Sequence, residues 1–248
     1  MDPKLAVVIM AAGKGTRMKN PDMAKVMFTI DGMPMVEHVV RLAVRLESSR
    51  TVVVVGWKKE TVIGHLAGRY PGVVCVEQNP QLGTGHAVMQ AELPLHGFDG
   101  DVLVLSGDVP LLTFATTRAL IDGHRADSAA ATVLTTVVPD ATGYGRMVRD
   151  GRGHVVGIVE HKDATEEQRA IREINSGIYV FRKEQLFGAL KQITTDNAQH
   201  EYYLTDIFRW FWRNNLPVRA VESSDPRETQ GINTVEQLEE ARASSGNR

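Results

Sequence analysis

Leu5-Ala6-Val7-Val8-Ile9-Met10 runs straight into Ala11-Ala12-Gly13-Lys14-Gly15-Thr16-Arg17-Met18, and the fold is decided by how that junction is read. The first six residues are short, apolar and β-branched in part, as a buried strand requires. Lys4 before an apolar run could pass for a secretory leader, but a glycine pair and Arg17 follow at once, which suits a first strand better. Gly13 and Gly15 let the backbone turn sharply and bring N–H groups close to an anion. Arg17, and Lys25 downstream, supply cations suited to phosphate oxygens. The third glycine of a dinucleotide-binding fingerprint is replaced by Met18, and no G-x-x-x-x-G-K-[ST] loop occurs. By itself the loop could equally be a glycine-rich turn from strand to helix.

Further along, Thr51–Val55, Val73–Val76 and Asp101–Leu105 repeat the strand signature, bounded by Gly, Asn, Asp or Pro. Between them Met35, Val36, Val39, Val40, Ala43 and Leu46 recur at helical spacing, as do Val62, Ile63 and Leu66. This alternation predicts an α/β fold with a mainly parallel sheet covered on both faces. Ligands of such sheets bind beyond the carboxyl ends of the strands, where the polar and glycine clusters fall. The second half reads differently. Strands are expected over 129–138, 144–160 with a turn at 150–153, 174–181 and 218–221, with helices over 163–169, 184–192, 202–214 and 234–243. No linker separates two units, so residues 1–243 are expected to form one domain. Its first half would span about 1–128 and a substrate-facing lobe about 129–243, with a frayed tail at 244–248.

A chain of 248 residues can bury a core without disulfide or metal. Its formal net charge of -2 offers no basic excess for a nucleic-acid partner. No apolar run reaches membrane-spanning length. The single cysteine, Cys75, is expected to be buried in a strand, in keeping with a reducing, cytoplasmic setting. The eight histidines are scattered, so no zinc site is expected.

The loop Ala11–Met18 resembles the signature of sugar nucleotidyltransferases that use nucleoside triphosphates. More narrowly, the chain resembles the uridyltransferase half of the bacterial bifunctional N-acetylglucosamine-1-phosphate uridyltransferase/glucosamine-1-phosphate acetyltransferases. The resemblance continues in order through Gln81-Leu82-Gly83-Thr84-Gly85-His86-Ala87, Gly107-Asp108-Val109-Pro110-Leu111 and Thr142-Gly143-Tyr144-Gly145-Arg146. It extends through 157–165, Glu173-Ile174-Asn175-Ser176-Gly177, Glu201-Tyr202-Tyr203-Leu204-Thr205-Asp206 and Gly231-Ile232-Asn233.

That resemblance implies a Rossmann-like nucleotidyltransferase fold of GT-A-like type. It also implies Mg²⁺-dependent transfer of a nucleotidyl group from UTP to a sugar 1-phosphate, N-acetylglucosamine 1-phosphate foremost. Asp108 would bind Mg²⁺ with Asn233 supplying a second oxygen, although either could instead cap a local turn or helix. Arg17 and Lys25 would act on the phosphates, and Ala11, Ala12, Gly13, Gly15 and Thr16 would cradle them. Gln78, Gly83 and Thr84 would read uracil, since an amide offers both a donor and an acceptor to the imide edge. Gly145, Glu160 and Asn175 would meet the sugar, while Glu160 could instead pair with His161 or Lys162.

The chain departs from the family pattern in three places. Ala24 stands where proline is usual, in a loop one residue longer, and Ser106 stands where some members carry tyrosine. No hexapeptide repeats follow, so acetyl transfer and β-helix trimerisation are not expected, and no oligomeric state is read. Glucose 1-phosphate, dTTP, or a UDP-sugar sensor without turnover remain the competing readings.

Overall fold

The computed structural model describes residues 4–20 and 22–245. The first strand, β1 (Leu5–Ala11), carries the chain into a 3₁₀ turn at Thr16–Met18 and a second at Lys25–Met27. A small hairpin follows, β2 (Thr29–Ile30) and β3 (Met33–Pro34). Strands and helices then alternate: α1 (Met35–Arg45), β4 (Arg50–Val55), α2 (Lys59–Ala67), β5 (Val73–Glu77), α3 (Thr84–Met89), β6 (Asp101–Ser106) and α4 (Phe114–Ala126). The second half holds β7 (Ala131–Val137), β8 (Arg146–Arg149), β9 (Val155–Val159), α5 (Glu166–Arg169), β10 (Glu173–Arg182), α6 (Lys183–Leu190) and α7 (Asp206–Arg213). It closes with β11 (Val218–Glu222) and α8 (Val235–Ser245).

One sheet runs through both halves in the order β11-β7-β10-β6-β1-β4-β5, with β8 and β9 attached beside β10. The pairs β1–β4, β1–β6, β4–β5 and β7–β11 are parallel, whereas β10 is antiparallel to both β6 and β7. The expected mainly parallel α/β sheet therefore holds. Alternating side chains of the central strands bury opposite faces. Val8, Val52, Val102 and Val104 pack with α3, α6 and α7, while Val7, Ile9, Val53 and Leu103 pack with α1, α2 and α4. Each such fully buried side chain contributes about 1.5–3 kcal/mol. A third cluster joins Met18, Ile30 and Met35 to Ile232, Leu238 and Ala241, which seats α8 beside the glycine loop.

Several expectations need adjustment. Cys75 is half-buried, because β5 is an edge strand paired only with β4 and Val74 beside it is 50% exposed. The helix expected from Tyr202 begins at Asp206. Residues 202–204 are held outside the helix by Tyr202 N–H donating to Leu82 O at 2.8 Å, Gly85 N–H to Tyr202 O at 2.7 Å and Leu204 N–H to Thr84 Oγ1 at 3.0 Å. The helix expected from 163 shrinks to α5, begun by a capping box between Thr165 and Gln168. Of the expected tail, Ser244 and Ser245 belong to α8, and residues 246–248 lie outside the described residues.

Candidate active site

Parallel pairing places the carboxyl ends of β1, β4, β5 and β6 on one edge of the sheet, with Met10 opposite Ser106 and Val55 opposite Glu77. Since β10 runs the other way, its beginning, with Asn175, comes to the same edge. A cleft of about 620 Å³ opens there. Its floor comes from Ser106 and Asp108, one wall from Ala11, Ala12, Gly13 and Lys14, and the other from Gln78, Gln81, Gly83 and Thr84. That size suits a small-molecule ligand.

Lys25 lies at the bottom. Its ammonium donates to Asp108 Oδ2 in an ion pair and to Asn233 Oδ1 at 3.0 Å. Both acidic and basic side chains are largely covered, at 19% and 13% exposed, so the pair is felt more strongly than a surface one. Ile232 N–H donates to Asp108 O at 2.9 Å, which brings the end of the chain against β6. Asn233 does not cap α8. Thr234 does so, with its Oγ1 accepting from Gln237 N–H at 3.2 Å and Gln237 Oε1 accepting from Thr234 N–H at 3.2 Å. The amide oxygen of Asn233 is thereby left for Lys25. Gly15, at φ +62°, packs on the Lys25 stem, where an added Cβ would overlap Lys25 Cβ and sit 3.0 Å from its Cγ.

The wall facing the glycine loop is held by Gln78, which is buried and donates from Nε2 to Gly83 O at 2.8 Å. Gln81 Nε2 donates to Ala12 O at 2.7 Å, tying this wall to the glycine loop. His86, expected to be structural, lies between the side chains of Gln78 and Gln90.

On the β10 side, Asn175 N–H donates to Gly145 O at 2.9 Å, so these two expected sugar residues are neighbours. The Asn175 side chain donates to Tyr179 Oη at 2.8 Å and accepts from Gly177 N–H at 3.0 Å. Glu160 accepts from Thr205 Oγ1 at 2.8 Å. His161 instead faces Arg146, and Lys162 donates to Gln199. Burial pushes the Glu160 carboxyl above its ordinary range; the Thr205 hydroxyl opposes this, and the carboxylates of Asp206, Asp163 and Glu201 add to the rise.

Ala11, Ala12, Gly13, Lys25, Gln78, Gly83, Thr84 and Asp108 thus line one cleft, with Asn233 joined to it through Lys25. Gly15 stands behind Lys25, while Thr16 and Arg17 are exposed on the 3₁₀ turn. Gly145, Glu160 and Asn175 are outside the residues lining the cleft. The link between the two groups was not assigned a role from sequence: residues 201–205 bond to the Gly83 loop at one end and to Glu160 at the other. The motif Glu201–Asp206 was the available signal. Tyr144 was also missed. Its hydroxyl is pushed up by burial, with the Asp108 carboxylate adding and the Arg17 charge opposing, which places it in electrostatic reach of both.

Ala24 precedes the Lys25 turn with φ -62° and ψ 136°, a φ that proline already has. Ala24→Pro is expected to stabilise the protein by about 0.4–1 kcal/mol through the unfolded chain, read as a raised midpoint in thermal unfolding.

The chain belongs to the nucleotidyl transferase family, whose model matches residues 6–225. Among curated proteins it is 51% identical over 239 residues to "Bifunctional protein GlmU" of Streptomyces avermitilis, and 49% identical over 237 residues to the protein of that name from Geobacter metallireducens. Each match covers 96% of this chain and 49% of the relative, so the chain spans about half the length of the curated relatives it matches. Among solved structures, that of UDP-glucose pyrophosphorylase complexed with UDP-glucose has a TM-score of 0.77 at 17% identity, covering 99% of this chain and all of the other. That likeness is one of fold.

Proposed function

We propose that this chain transfers UMP from UTP to N-acetylglucosamine 1-phosphate, giving UDP-N-acetylglucosamine and pyrophosphate. The observation that carries the reading is the convergence of Asp108, Asn233 and Lys25 on one point of the cleft, between a glycine loop and a glutamine-glycine wall. The family membership and the identity to GlmU proteins across nearly the whole chain support it.

In the proposed reaction an oxygen of the sugar phosphate attacks the α-phosphorus of UTP. A new P–O bond forms, the bond from that phosphorus to the α,β-bridging oxygen breaks, and pyrophosphate leaves. The protein's task is to hold two anions together and offset charge gathering on the phosphates. Backbone N–H groups from Ala11 to Thr16 bind the triphosphate, with Lys25 and Arg17 adding cationic side chains. The donor set of Asp108 and Asn233 fits Mg²⁺, since both are hard oxygens and already converge on one cation, the Lys25 ammonium. When bound there, Mg²⁺ would offset phosphate charge as a Lewis acid. Gln78, with its nitrogen given to Gly83 O, turns its amide oxygen to the uracil N–H. Glu160 and Asn175 bind the sugar. Among the described residues no helix is long and apolar enough to cross a membrane, and a cytoplasmic setting is part of this proposal.

The test is pyrophosphate release with Mg²⁺ and UTP, comparing N-acetylglucosamine, glucosamine and glucose 1-phosphates. Fast release with the acetylated sugar alone supports the reading. Preference for another sugar moves the substrate, and no release with tight UDP-sugar binding leaves a sensor. Gln78→Ala is expected to erode the preference for UTP over CTP more than it slows UTP turnover. An unchanged UTP:CTP ratio would assign base reading to another residue.

A further inference from the structure

We infer that Lys25 is a resident cation that competes with the metal for Asp108 and Asn233, so that metal loading is what frees Lys25 to reach the phosphates. This rests on the functional reading above and adds an order of events within the site.

The argument begins with which partner can move. Asp108 and Asn233 are locked to one another by the main chain through Ile232 N–H and Asp108 O at 2.9 Å. Asn233 is held further by Nδ2 donating to Gly231 O at 3.1 Å and by its own N–H donating to Gln237 Oε1 at 2.8 Å. Neither oxygen can readily swing away. Lys25 is different, because its ammonium ends a flexible four-carbon stem that lines the open cleft.

The second point is electrostatic. The ammonium bonds to Asp108 Oδ2 and to Asn233 Oδ1 at once, occupying the point where their oxygens converge. Two cations cannot share that point, since repulsion between a divalent ion and an ammonium at contact exceeds what one carboxylate offsets in a largely covered site. Mg²⁺ entry therefore requires Lys25 to give up both oxygens.

The third point is where Lys25 goes. Its stem is gripped by Gly15, where an added Cβ would meet Lys25 Cγ at 3.0 Å and Cδ at 3.2 Å. The inner carbons stay against the glycine loop while the outer ones rotate. The ammonium then swings beneath the backbone N–H groups proposed to hold the triphosphate. Lys25 is thus a placeholder when the site is empty and a phosphate ligand when it is filled.

The test uses Mn²⁺ as probe on the whole chain without nucleotide, counting free ion by electron paramagnetic resonance. Lys25→Met, which keeps the stem and removes the charge, is expected to bind Mn²⁺ about tenfold tighter or more than wild type. Adding Asp108→Asn to that variant is expected to remove the gain. Equal affinity in wild type and Lys25→Met overturns the inference. A measurement on unaltered protein guards against a variant that fails to fold. Acetylation of Lys25 by an N-hydroxysuccinimide ester, followed by peptide mass spectrometry, is expected to quicken severalfold as Mg²⁺ is raised, with Lys183 at the far end of the sheet unchanged. A Lys25 rate indifferent to Mg²⁺ overturns the inference too. Failure of the functional reading shows separately, as absent pyrophosphate release by wild type that still displays the Mn²⁺ difference.

Discussion

Asp108→Asn is expected to leave the fold intact and lower kcat by about 10²-fold or more in Mg²⁺, the scale of loss when stabilisation of developing charge is removed. The fold survives because the exchange is nearly isosteric. Lys25 keeps Asn233 Oδ1 and gains a neutral carbonyl oxygen in place of the carboxylate, and Ile232 still has the Asp108 main-chain oxygen. The chemistry does not survive, because the one carboxylate at the convergence point is gone. Steady-state pyrophosphate release and a thermal melt on the same preparation make the check. Turnover like wild type would remove Asp108 from the mechanism. A collapsed melt would make the loss structural.

Gly83→Ala is expected to destabilise the protein by about 2–4 kcal/mol and to raise the KM for UTP. Gly83 sits at φ 102° and ψ 177°, a region essentially closed to other residues. Its added carbon would lie 2.7 Å from Tyr202 O and 2.8 Å from Glu201 Cβ, so neither the loop nor its partner has room. Tyr202 O is also the acceptor for Gly85 N–H, and forcing it aside breaks that bond. For a chain of this size the midpoint should fall by roughly 4–16 °C. Gly32→Ala is the control: it too has positive φ, but an added carbon meets nothing within 4 Å. If both variants lose the same stability, backbone strain alone governs and the contact with Tyr202 is unimportant.

The glycine-rich turn after β1 and the Val-rich strands were legible because strand period, short length and flanking turn residues all agreed. Leu5–Met10 and Thr51–Val55 needed no tertiary knowledge to be read. By contrast α4 was not read. Its buried positions are Thr117, Leu120, Ile121 and His124, and two polar residues among four blur the helical period. The start of α7 was misplaced for another reason. Tyr202–Leu204 runs directly into a helical stretch, yet long-range bonds to Leu82 and Thr84 hold it outside the helix, and no local pattern encodes that. The same cause hid the role of Thr205, which becomes visible only when its hydroxyl is found on Glu160. At Asn233 sequence left metal ligand and helix cap open, and Thr234 settles the capping half of that choice.

The seat of α8 beside the glycine loop has a consequence for the order in which the molecule is made. Lys25 and Asn233 stand 208 positions apart in the chain, and the helix that positions Asn233 packs on Ile30 and Met35 near its beginning. Synthesis on the ribosome delivers β1, the loop and Asp108 long before their last partner. A nascent polypeptide can form most of the sheet while its cleft still lacks the Asn233 oxygen. The clasp on Lys25 closes only when the final helix emerges and docks, so a product truncated before it holds Lys25 by Asp108 alone.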